Sequence, residues 1–188
     1  MIRFIFTGAQ GTGKTTILNH FKERGMNVIT EVVRNLSKQG VQINEQGTQQ
    51  GQETIFNEYA RLLSDKNEYI SDRGLTDVIA YSCCLQENGR VPMDFTRQQI
   101  EKLAQFTKDN PGVVYFYFPI EFPVVNDGVR STDEAFRAKV DAYILDLLEH
   151  VGLPHIKVTG TVEERIKIVE TAMKIESVGK LPMESISK

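Results

Sequence analysis

The segment from Gly8 to Thr15 constrains the fold of this chain more than any other feature. It reads Gly-Ala-Gln-Gly-Thr-Gly-Lys-Thr and matches the pattern G-x-x-x-x-G-K-[ST]. An apolar run over 2–7 precedes the glycines, and a helical pattern begins at Lys14. A strand, a glycine loop and a helix in this order form a phosphate-binding site. The segment therefore predicts a phosphate-binding loop (P-loop) in an α/β protein.

The residue types of the P-loop indicate what each residue does. Glycines let the backbone wrap closely, so that successive N–H groups face a phosphate. We expect Lys14 to lie on a solvent-facing loop, to contact the β- and γ-phosphates and to act in catalysis, and we expect the Thr15 hydroxyl to bind Mg²⁺. The full predicted phosphate-binding set is Gly8, Gln10, Gly11, Thr12, Gly13, Lys14, Thr15 and Thr16.

Hydrophobic periodicity alternates between strand and helix along the rest of the chain. Five apolar runs predict strands, at 2–7, 27–30, 68–72, 113–118 and 155–158. Helical patterns separate most of them, which favours one parallel sheet with right-handed crossovers. Three capping boxes are expected to begin helices, at Thr96/Gln99, Ser131/Glu134 and Thr161/Glu164, and Thr76 is expected to cap another. We predict a three-layer P-loop NTPase fold with a five-stranded parallel sheet over 1–176, followed by a loose tail over 177–188.

The segment 39–52 differs from its surroundings. It is rich in glutamine and glycine and has no hydrophobic period of its own. We expect a flexible loop there, on the side of the site that receives a phosphate acceptor.

Composition excludes several classes of protein. The chain has 188 residues, of which 40% are hydrophobic and 25% charged, as in an ordinary globular domain. The net charge of −3 argues against broad, non-specific nucleic-acid binding. No apolar run approaches the ~20 residues of a membrane span, and the first residues lack the pattern of a signal peptide, so we expect a cytoplasmic protein. The adjacent Cys83 and Cys84 lie in an apolar stretch and are expected to be small core residues.

Two acids follow predicted strands, Glu31 after the second and Asp72 at the end of the third. Ligands of open α/β sheets bind at the carboxyl ends of the strands, so both are candidates for the site. One can bind Mg²⁺ and the other can accept a proton from a hydroxyl nucleophile. The alternative is that Glu31 caps or solvates a helix start and that Asp72 pairs with an exposed arginine. The strand over 113–118 ends without an acid, which disfavours an ATPase that polarises water there.

Four arginines follow these acidic and turn segments, at Arg34, Arg73, Arg130 and Arg137. A guanidinium group can stabilise the negative charge that is spread over a phosphoryl group during its transfer. A turn at Asp127-Gly128 places Arg130 on a loop, and Arg137 follows two helical turns later. This pair can close over bound phosphates as a lid, although each arginine alone can equally be a surface residue.

The chain resembles P-loop kinases of the nucleoside and nucleotide kinase group, most closely the ribosylnicotinamide-kinase-like branch of small AAA-domain ATP-binding proteins. The resemblance rests on the P-loop, on the segment Thr30-Glu31-Val32-Val33-Arg34, on Asp72-Arg73, and on Asp127-Gly128-Val129-Arg130 with Arg137. It implies the strand order 2-3-1-4-5. Two features depart from the kinases: Gly74 stands where serine or tyrosine usually follows the Asp-Arg step, and 39–52 matches no acceptor-site pattern.

The same resemblance assigns roles to individual residues. It implies that Glu31 is the catalytic base, that Asp72 acts in catalysis and helps to hold Mg²⁺, and that Arg73 engages phosphates. We also expect Thr15 to bind Mg²⁺ with Asp72, and Arg34 and Arg73 to bind the acceptor. The resemblance also makes Arg130 and Arg137 catalytic lid residues and places the turn Thr159-Gly160 beside the adenine.

The sequence favours an ATP-dependent kinase that uses Mg²⁺ and phosphorylates a nucleoside, a nucleotide or a nucleoside-like small molecule. A second hypothesis keeps the chemistry but places the acceptor within DNA or RNA, as in kinases that phosphorylate hydroxymethyluracil in modified DNA. A third is a nucleotide-binding ATPase switch without a dedicated acceptor. The sequence leaves the oligomeric state open.

Overall fold

The computed structural model describes residues 2–123 and 133–177, with side chains as far as Lys174. The described strands are β1 (Arg3–Thr7), β2 (Val28–Ile29), β3 (Tyr69–Asp72), β4 (Val113–Tyr117) and β5 (His155–Lys157). The described helices are α1 (Lys14–Glu23), α2 (Val32–Lys38), α3 (Gln49–Leu63), α4 (Leu75–Glu87), α5 (Met93–Asp109), α6 (Glu134–His150) and α7 (Val162–Ser177), with a short 3₁₀ turn at Asn44–Gln46.

The five strands form one sheet in the order β2-β3-β1-β4-β5, and every neighbouring pair is parallel. Phe6 on β1 is paired with Asp72 on β3 and with Phe116 on β4, so the carboxyl ends of the three central strands lie level. The predicted fold class and strand order are confirmed. Because the P-loop follows the central strand, β3 and β2 carry one side of its surroundings and β4 and β5 carry the other.

Side chains alternate across the sheet and bury two separate cores, which makes the fold three-layered. Phe4 and Phe6 face one side, where they pack with residues of α1 and α7 such as Leu18 and Val169. Ile5 faces the other side and packs against α3, α4, α5 and α6. Cys84 is buried in this second core and Cys83 lies partly buried beside it, so both contribute to the core as expected.

Helix starts differ from the sequence prediction at several positions. The Thr161/Glu164 capping box is confirmed, because the Thr161 hydroxyl accepts from the Glu164 backbone N–H and the Glu164 carboxylate accepts from that of Thr161. The Thr96/Gln99 prediction was wrong: α5 begins four residues earlier, directly after Pro92, whose fixed φ suits a helix start.

Two further starts lie elsewhere than predicted. Helix α4 begins after Gly74, so Thr76 lies in its first turn, where its hydroxyl is 3.1 Å from that of Thr7. Ser131 lies outside the described residues, and Asp133 caps α6 by accepting from the Phe136 N–H at 3.0 Å.

The connection between β2 and β3 contains more helix than the sequence indicated. Helix α2 was missed because it has seven residues and buries only Val32, which leaves almost no hydrophobic period to detect. The predicted loop over 39–52 ends at Thr48, whose side chain accepts from the Gly51 N–H and caps α3. Residues 49–52 are therefore helical, and Gln52 is buried. The flexibility of the remaining loop stays a prediction, and the tail from residue 178 lies outside the described residues.

Candidate active site

A cavity of about 400 Å³ opens at the carboxyl ends of the central strands. Seven of the eight predicted phosphate-binding residues line it, and so do four other predicted site residues. The lining comprises residues 10–16 of the P-loop, 31–34 at the start of α2, Asp72 and Arg73 after β3, and Ile43, Asn44, Gln52, Ile55, Tyr59, Asp77, Val78, Tyr81, Phe122 and Pro123.

Gly8 is the predicted phosphate-binding residue that does not line the cavity. Its φ is +143°, and a Cβ atom there would collide with the carbonyl oxygen of Phe118. The Phe118 backbone N–H also donates to the Thr7 carbonyl at 2.9 Å. Gly8 is therefore required by the close approach of the chain after β4, which fixes where the P-loop starts.

Lys14 lies at the bottom of the cavity with only 4% of its surface exposed, so the expectation of a solvent-facing side chain was wrong. The P-loop wraps around its ammonium group, which donates to the carbonyls of Gly8 at 2.6 Å and Ala9 at 2.7 Å. The pKa of Lys14 is lowered to about 8, chiefly by burial and also by the charge of Arg73, while the carboxylates of Asp72 and Asp77 oppose the shift. A polyphosphate bound beside it would favour the charged form.

Thr15 and Asp72, the two predicted magnesium ligands, lie together. The Thr15 hydroxyl donates to Oδ2 of Asp72 at 3.0 Å. Within 2–123 and 133–177, no group of three or more His, Cys, Asp or Glu side chains forms a metal cage. Mg²⁺ prefers oxygen ligands and is usually held by one or two protein groups plus phosphates and water, so this pair fits that ion.

Glu31 lies at the cavity wall immediately before α2. Its backbone is left-handed, with φ +61°, a strained conformation for a non-glycine residue. Its side chain makes no capping hydrogen bond, remains 46% exposed, and lies 3.6 Å from Nε of Arg34. Glu31 lines the cavity, and its carboxylate is open to solvent there. Glu31 therefore occupies the N-cap position of α2 without a capping hydrogen bond from its side chain, so it does not cap the helix, while a solvated surface role and the role of base both stay predictions.

Arg73 also has a left-handed backbone, with φ +76°. Its N–H donates to the Phe6 carbonyl at 2.9 Å, which continues the sheet past Asp72, and its guanidinium lies 5.6 Å from the centre of the Tyr81 ring. The hydroxyl of Tyr59 donates to the Asp72 carbonyl at 3.0 Å. Two tyrosines from α3 and α4 thus fix the Asp-Arg step at the cavity.

Asp77, in the first turn of α4, is a site residue that sequence reasoning missed. Its buried carboxylate accepts from the Thr7 hydroxyl at 2.8 Å and from the N–H groups of Gly8 and Gly74 at 3.2 and 3.1 Å. Burial raises its pKa, while Arg73 and Lys14 act in the opposite direction. Asp77 joins the end of β1 to the turn that carries Arg73. Its only sequence signal is an acid in the first turn of a helix, which is typical of ordinary capping.

Arg137, predicted to act in a lid, is buried beneath the P-loop and does not line the cavity. Its Nε and Nη2 donate to the carbonyls of Gln10 and Phe122, both at 2.9 Å, and its Nη1 pairs with Glu134. Its proposed partner Arg130 lies outside the described residues. A catalytic role for the pair stays a prediction. In the structure, Arg137 links the P-loop at Gln10 to the segment after β4 at Phe122.

Arg165 on α7 supports the P-loop from the other side, and sequence reasoning missed it too. It is 2% exposed and donates to the carbonyls of Thr12 at 2.7 Å and Gly160 at 2.8 Å, and its third nitrogen pairs with Glu121. A signal was available, because Arg165 shares the i, i+4, i+7 face of α7 with the buried Val169 and Ala172. An arginine on a buried helical face must find partners inside the protein.

A family model described as an AAA domain matches residues 3–165, which is most of the chain. The chain belongs to this AAA domain family. No curated protein sequence matches this AAA domain.

Solved structures with the same fold include kinases of nucleosides and nucleotides. Deoxyadenosine kinase from M. mycoides has 15% identity and a TM-score of 0.67, with 94% of the AAA domain chain and 100% of the kinase covered. A NadR protein in complex with NR has 14% identity and a TM-score of 0.69, with all of this chain but only 54% of that protein covered. Thymidylate kinase from Candida albicans has 14% identity and a TM-score of 0.58, with 99% of this chain and 96% of the kinase covered.

These similarities show that the AAA domain has the fold of such kinases. The predicted resemblance to this group is thereby confirmed. Among the helices that the structure describes in the AAA domain, none is long and apolar enough to cross a membrane.

Proposed function

We propose that this AAA domain is an ATP-dependent kinase that phosphorylates a hydroxyl group of a nucleoside, a nucleotide or a nucleoside-like small molecule. One observation carries the proposal. Lys14 of the P-loop, the Thr15–Asp72 pair and the carboxylate of Glu31 all line one cavity. A donor site, a cation site and a candidate base therefore share one space, as direct phosphoryl transfer requires.

The donor side is built from the P-loop and α1. The backbone amides of residues 10–16 and the positive end of α1 suit the phosphates of ATP. Thr15 and Asp72 would hold a magnesium ion, which neutralises charge on the β- and γ-phosphates when it is bound. Lys14 would contact the oxygens of the group being transferred.

The acceptor side is the part of the cavity beyond Asp72. Side chains from α2, α3, α4 and the turn after β3 line it, namely Arg34, Gln52, Tyr59, Tyr81 and Arg73. Aromatic rings with a few polar groups are typical of a pocket for a planar small molecule, and 400 Å³ is within the usual range for one. The two arginines are suited to an acceptor that already carries a phosphate.

Glu31 would act as the base. Its carboxylate would take the proton from the acceptor hydroxyl while the hydroxyl oxygen bonds to the γ-phosphorus and the bond to the β,γ-bridging oxygen breaks, which releases ADP. Glu31 lines the cavity and is half-exposed, so an acceptor can reach its carboxylate.

The structures of similar fold support this class of acceptor. Deoxyadenosine kinase was solved with dCMP and dCDP, and the NadR protein with NR and with NAD and AMP-PNP. A cavity of about 400 Å³ has the size of a small-molecule pocket, which supports a small-molecule acceptor over a base within DNA. A cytoplasmic location is part of the proposal and rests on the sequence alone.

An acceptor screen with ATP labelled in the γ-phosphate tests the proposal. The full chain is incubated with Mg²⁺ and with free nucleosides, nucleoside monophosphates, nicotinamide riboside, and plain or hydroxymethyluracil-containing DNA. We expect label to move to at least one small molecule, to be absent with Lys14→Ala, and to be slowed with Glu31→Gln. Label on DNA alone would establish the polymer hypothesis instead. Hydrolysis that no acceptor accelerates would establish the switch.

A further inference from the structure

Phe122, five residues beyond the end of β4, is an aromatic side chain at the cavity that the proposed mechanism does not use. Its side chain is 42% exposed although it borders the phosphate-binding loop. Within the described part of the chain, only Met93, Phe122 and Val162 expose a large apolar side chain. An aromatic ring in this position has a surface available for a ligand.

We infer that the ring of Phe122 is the surface on which the base of the donor nucleoside triphosphate stacks. This inference rests on the proposed function, because it assumes that a nucleoside triphosphate fills the P-loop. It adds a binding residue for the base, a part of the donor that the P-loop itself does not contact.

The strand order separates the two ends of the cavity. Asp72 and Glu31 follow β3 and β2 on one side of the central strand, whereas Phe122 follows β4 on the other. A triphosphate whose terminal phosphate points toward Asp72 and Glu31 must direct its nucleoside away from them. Phe122 lies on that opposite side, next to the P-loop.

Two buried arginines contact Phe122, one at its backbone and one at its ring. The Phe122 carbonyl accepts from Arg137 at 2.9 Å, and the guanidinium carbon of Arg165 lies 5.1 Å from the ring centre. A Cβ atom on Gly13 would lie 3.6 Å from Cζ of Phe122, so the tip of the ring meets the last glycine of the P-loop.

Both arginines also bind the P-loop itself, Arg137 at the Gln10 carbonyl and Arg165 at the Thr12 carbonyl. The ring and the P-loop are thus fixed relative to each other by the same two buried side chains. A preorganised ring loses little conformational freedom when a ligand binds, which is the property a stacking surface needs.

Stacking has a predictable chemical signature. Every base has a flat π face, so a phenyl ring binds adenine and guanine alike and gives little discrimination between ATP and GTP. Removal of such a ring weakens binding by about fivefold to 150-fold for each stacked base. Inorganic tripolyphosphate carries the phosphates without a base, so its affinity is the internal control.

The test is calorimetric titration of the full chain with Mg²⁺ and either ATP or tripolyphosphate. We expect Phe122→Ala and Phe122→Leu to lose about fivefold to 150-fold in ATP affinity and to keep tripolyphosphate affinity within about twofold. Phe122→Tyr should bind both as the original chain does. Met93→Ala removes another exposed apolar side chain, at the start of α5, and should change neither affinity.

Fluorescence provides a second readout, because the chain contains no tryptophan. Phe122→Trp introduces one, and a base stacked on the indole should quench its emission. We expect ATP and GTP to quench it and tripolyphosphate to leave it unchanged.

The outcomes separate this inference from the proposed function. If the original chain binds neither ligand, the proposed function fails and this inference fails with it. If it binds ATP and Phe122→Ala weakens ATP and tripolyphosphate equally, Phe122 only shapes the P-loop, and the inference alone is overturned. Unchanged ATP affinity in Phe122→Ala overturns it as well.

Discussion

The hydroxyl of Thr15 donates a hydrogen bond of 3.0 Å to Oδ2 of Asp72. This hydrogen bond joins the first turn of α1 to the last residue of β3. Both are oxygen ligands of the kind that a hard divalent cation prefers, and both face the cavity that contains Lys14. The donor chemistry that we propose depends on this contact.

Asp72→Asn should raise the Mg²⁺ concentration required for half-maximal turnover by about tenfold or more, because an amide oxygen binds the cation less strongly than a carboxylate. The measurement is a magnesium titration of turnover at saturating ATP. Asp94→Asn, at an exposed position on α5, is the matched control and should leave the titration unchanged. A titration of Asp72→Asn that overlays the original would reduce Asp72 to a structural role.

Glu31→Gln should slow transfer to a hydroxyl acceptor by about 10²–10⁴-fold, the usual contribution of a general base. ATP affinity should stay the same, because Glu31 lies on the acceptor side of the cavity. Single-turnover transfer and ATP binding are measured in parallel, with Glu101→Gln on the exposed face of α5 as the control. Equal transfer rates in the two variants would remove Glu31 from the mechanism.

ATP binding should be accompanied by proton uptake near pH 8. With a pKa of about 8, Lys14 is roughly half neutral in the free protein at that pH. Bound phosphates favour the ammonium form and raise the pKa, so roughly half a proton is taken up for each ATP bound. Calorimetry in buffers of different ionisation enthalpy measures this uptake. The Lys14→Arg variant stays charged at this position and should take up no proton there. A binding heat of the original chain that does not depend on the buffer would contradict the prediction.

Gly13→Ala should weaken triphosphate binding, whereas Gly25→Ala should not. Both glycines have similar positive φ values, +88° and +83°, so alanine costs about 1 kcal/mol of backbone strain at either position. Only at Gly13 would the new Cβ approach another group closely, at 2.9 Å from Nη1 of Arg165, and so disturb the bond to the Thr12 carbonyl. Denaturant unfolding of the two variants measures the strain, and ATP titrations measure the effect of the local collision. Equal ATP affinities would show that the collision with Arg165 does not affect triphosphate binding.

Thr7→Val should lower the free energy of unfolding by about 1–3 kcal/mol, because it removes the 2.8 Å hydrogen bond to the buried Asp77 carboxylate. Thr171→Val on the exposed face of α7 is the control, with an expected change within about 0.5 kcal/mol. Denaturant unfolding measures both variants. Similar stabilities would mean that Asp77 is satisfied without Thr7.

The sequence predicted the P-loop and the strands because these depend on local spacing. It also placed Asp72 at the end of a strand, where the structure brings it to Thr15, while their role as magnesium ligands stays a prediction. It did not predict Asp77 or Arg165 as site residues. Their partners lie far away in sequence, with Arg165 bonded to Thr12 and Asp77 to Thr7. Periodicity shows which face of a helix is buried, but it does not show which backbone carbonyl a buried side chain on that face will bind. Arg137 illustrates the same limit. Its sequence position suits a lid, but its side chain is bonded to the carbonyls of Gln10 and Phe122.

Calorimetric titration of Mg²⁺–ATP into the full chain tests most directly whether this cavity is a triphosphate site. We expect one ATP to bind per chain and binding to be lost or strongly weakened in Lys14→Ala. Absence of binding by both ATP and GTP in the presence of Mg²⁺, with the chain folded, would contradict the central claim.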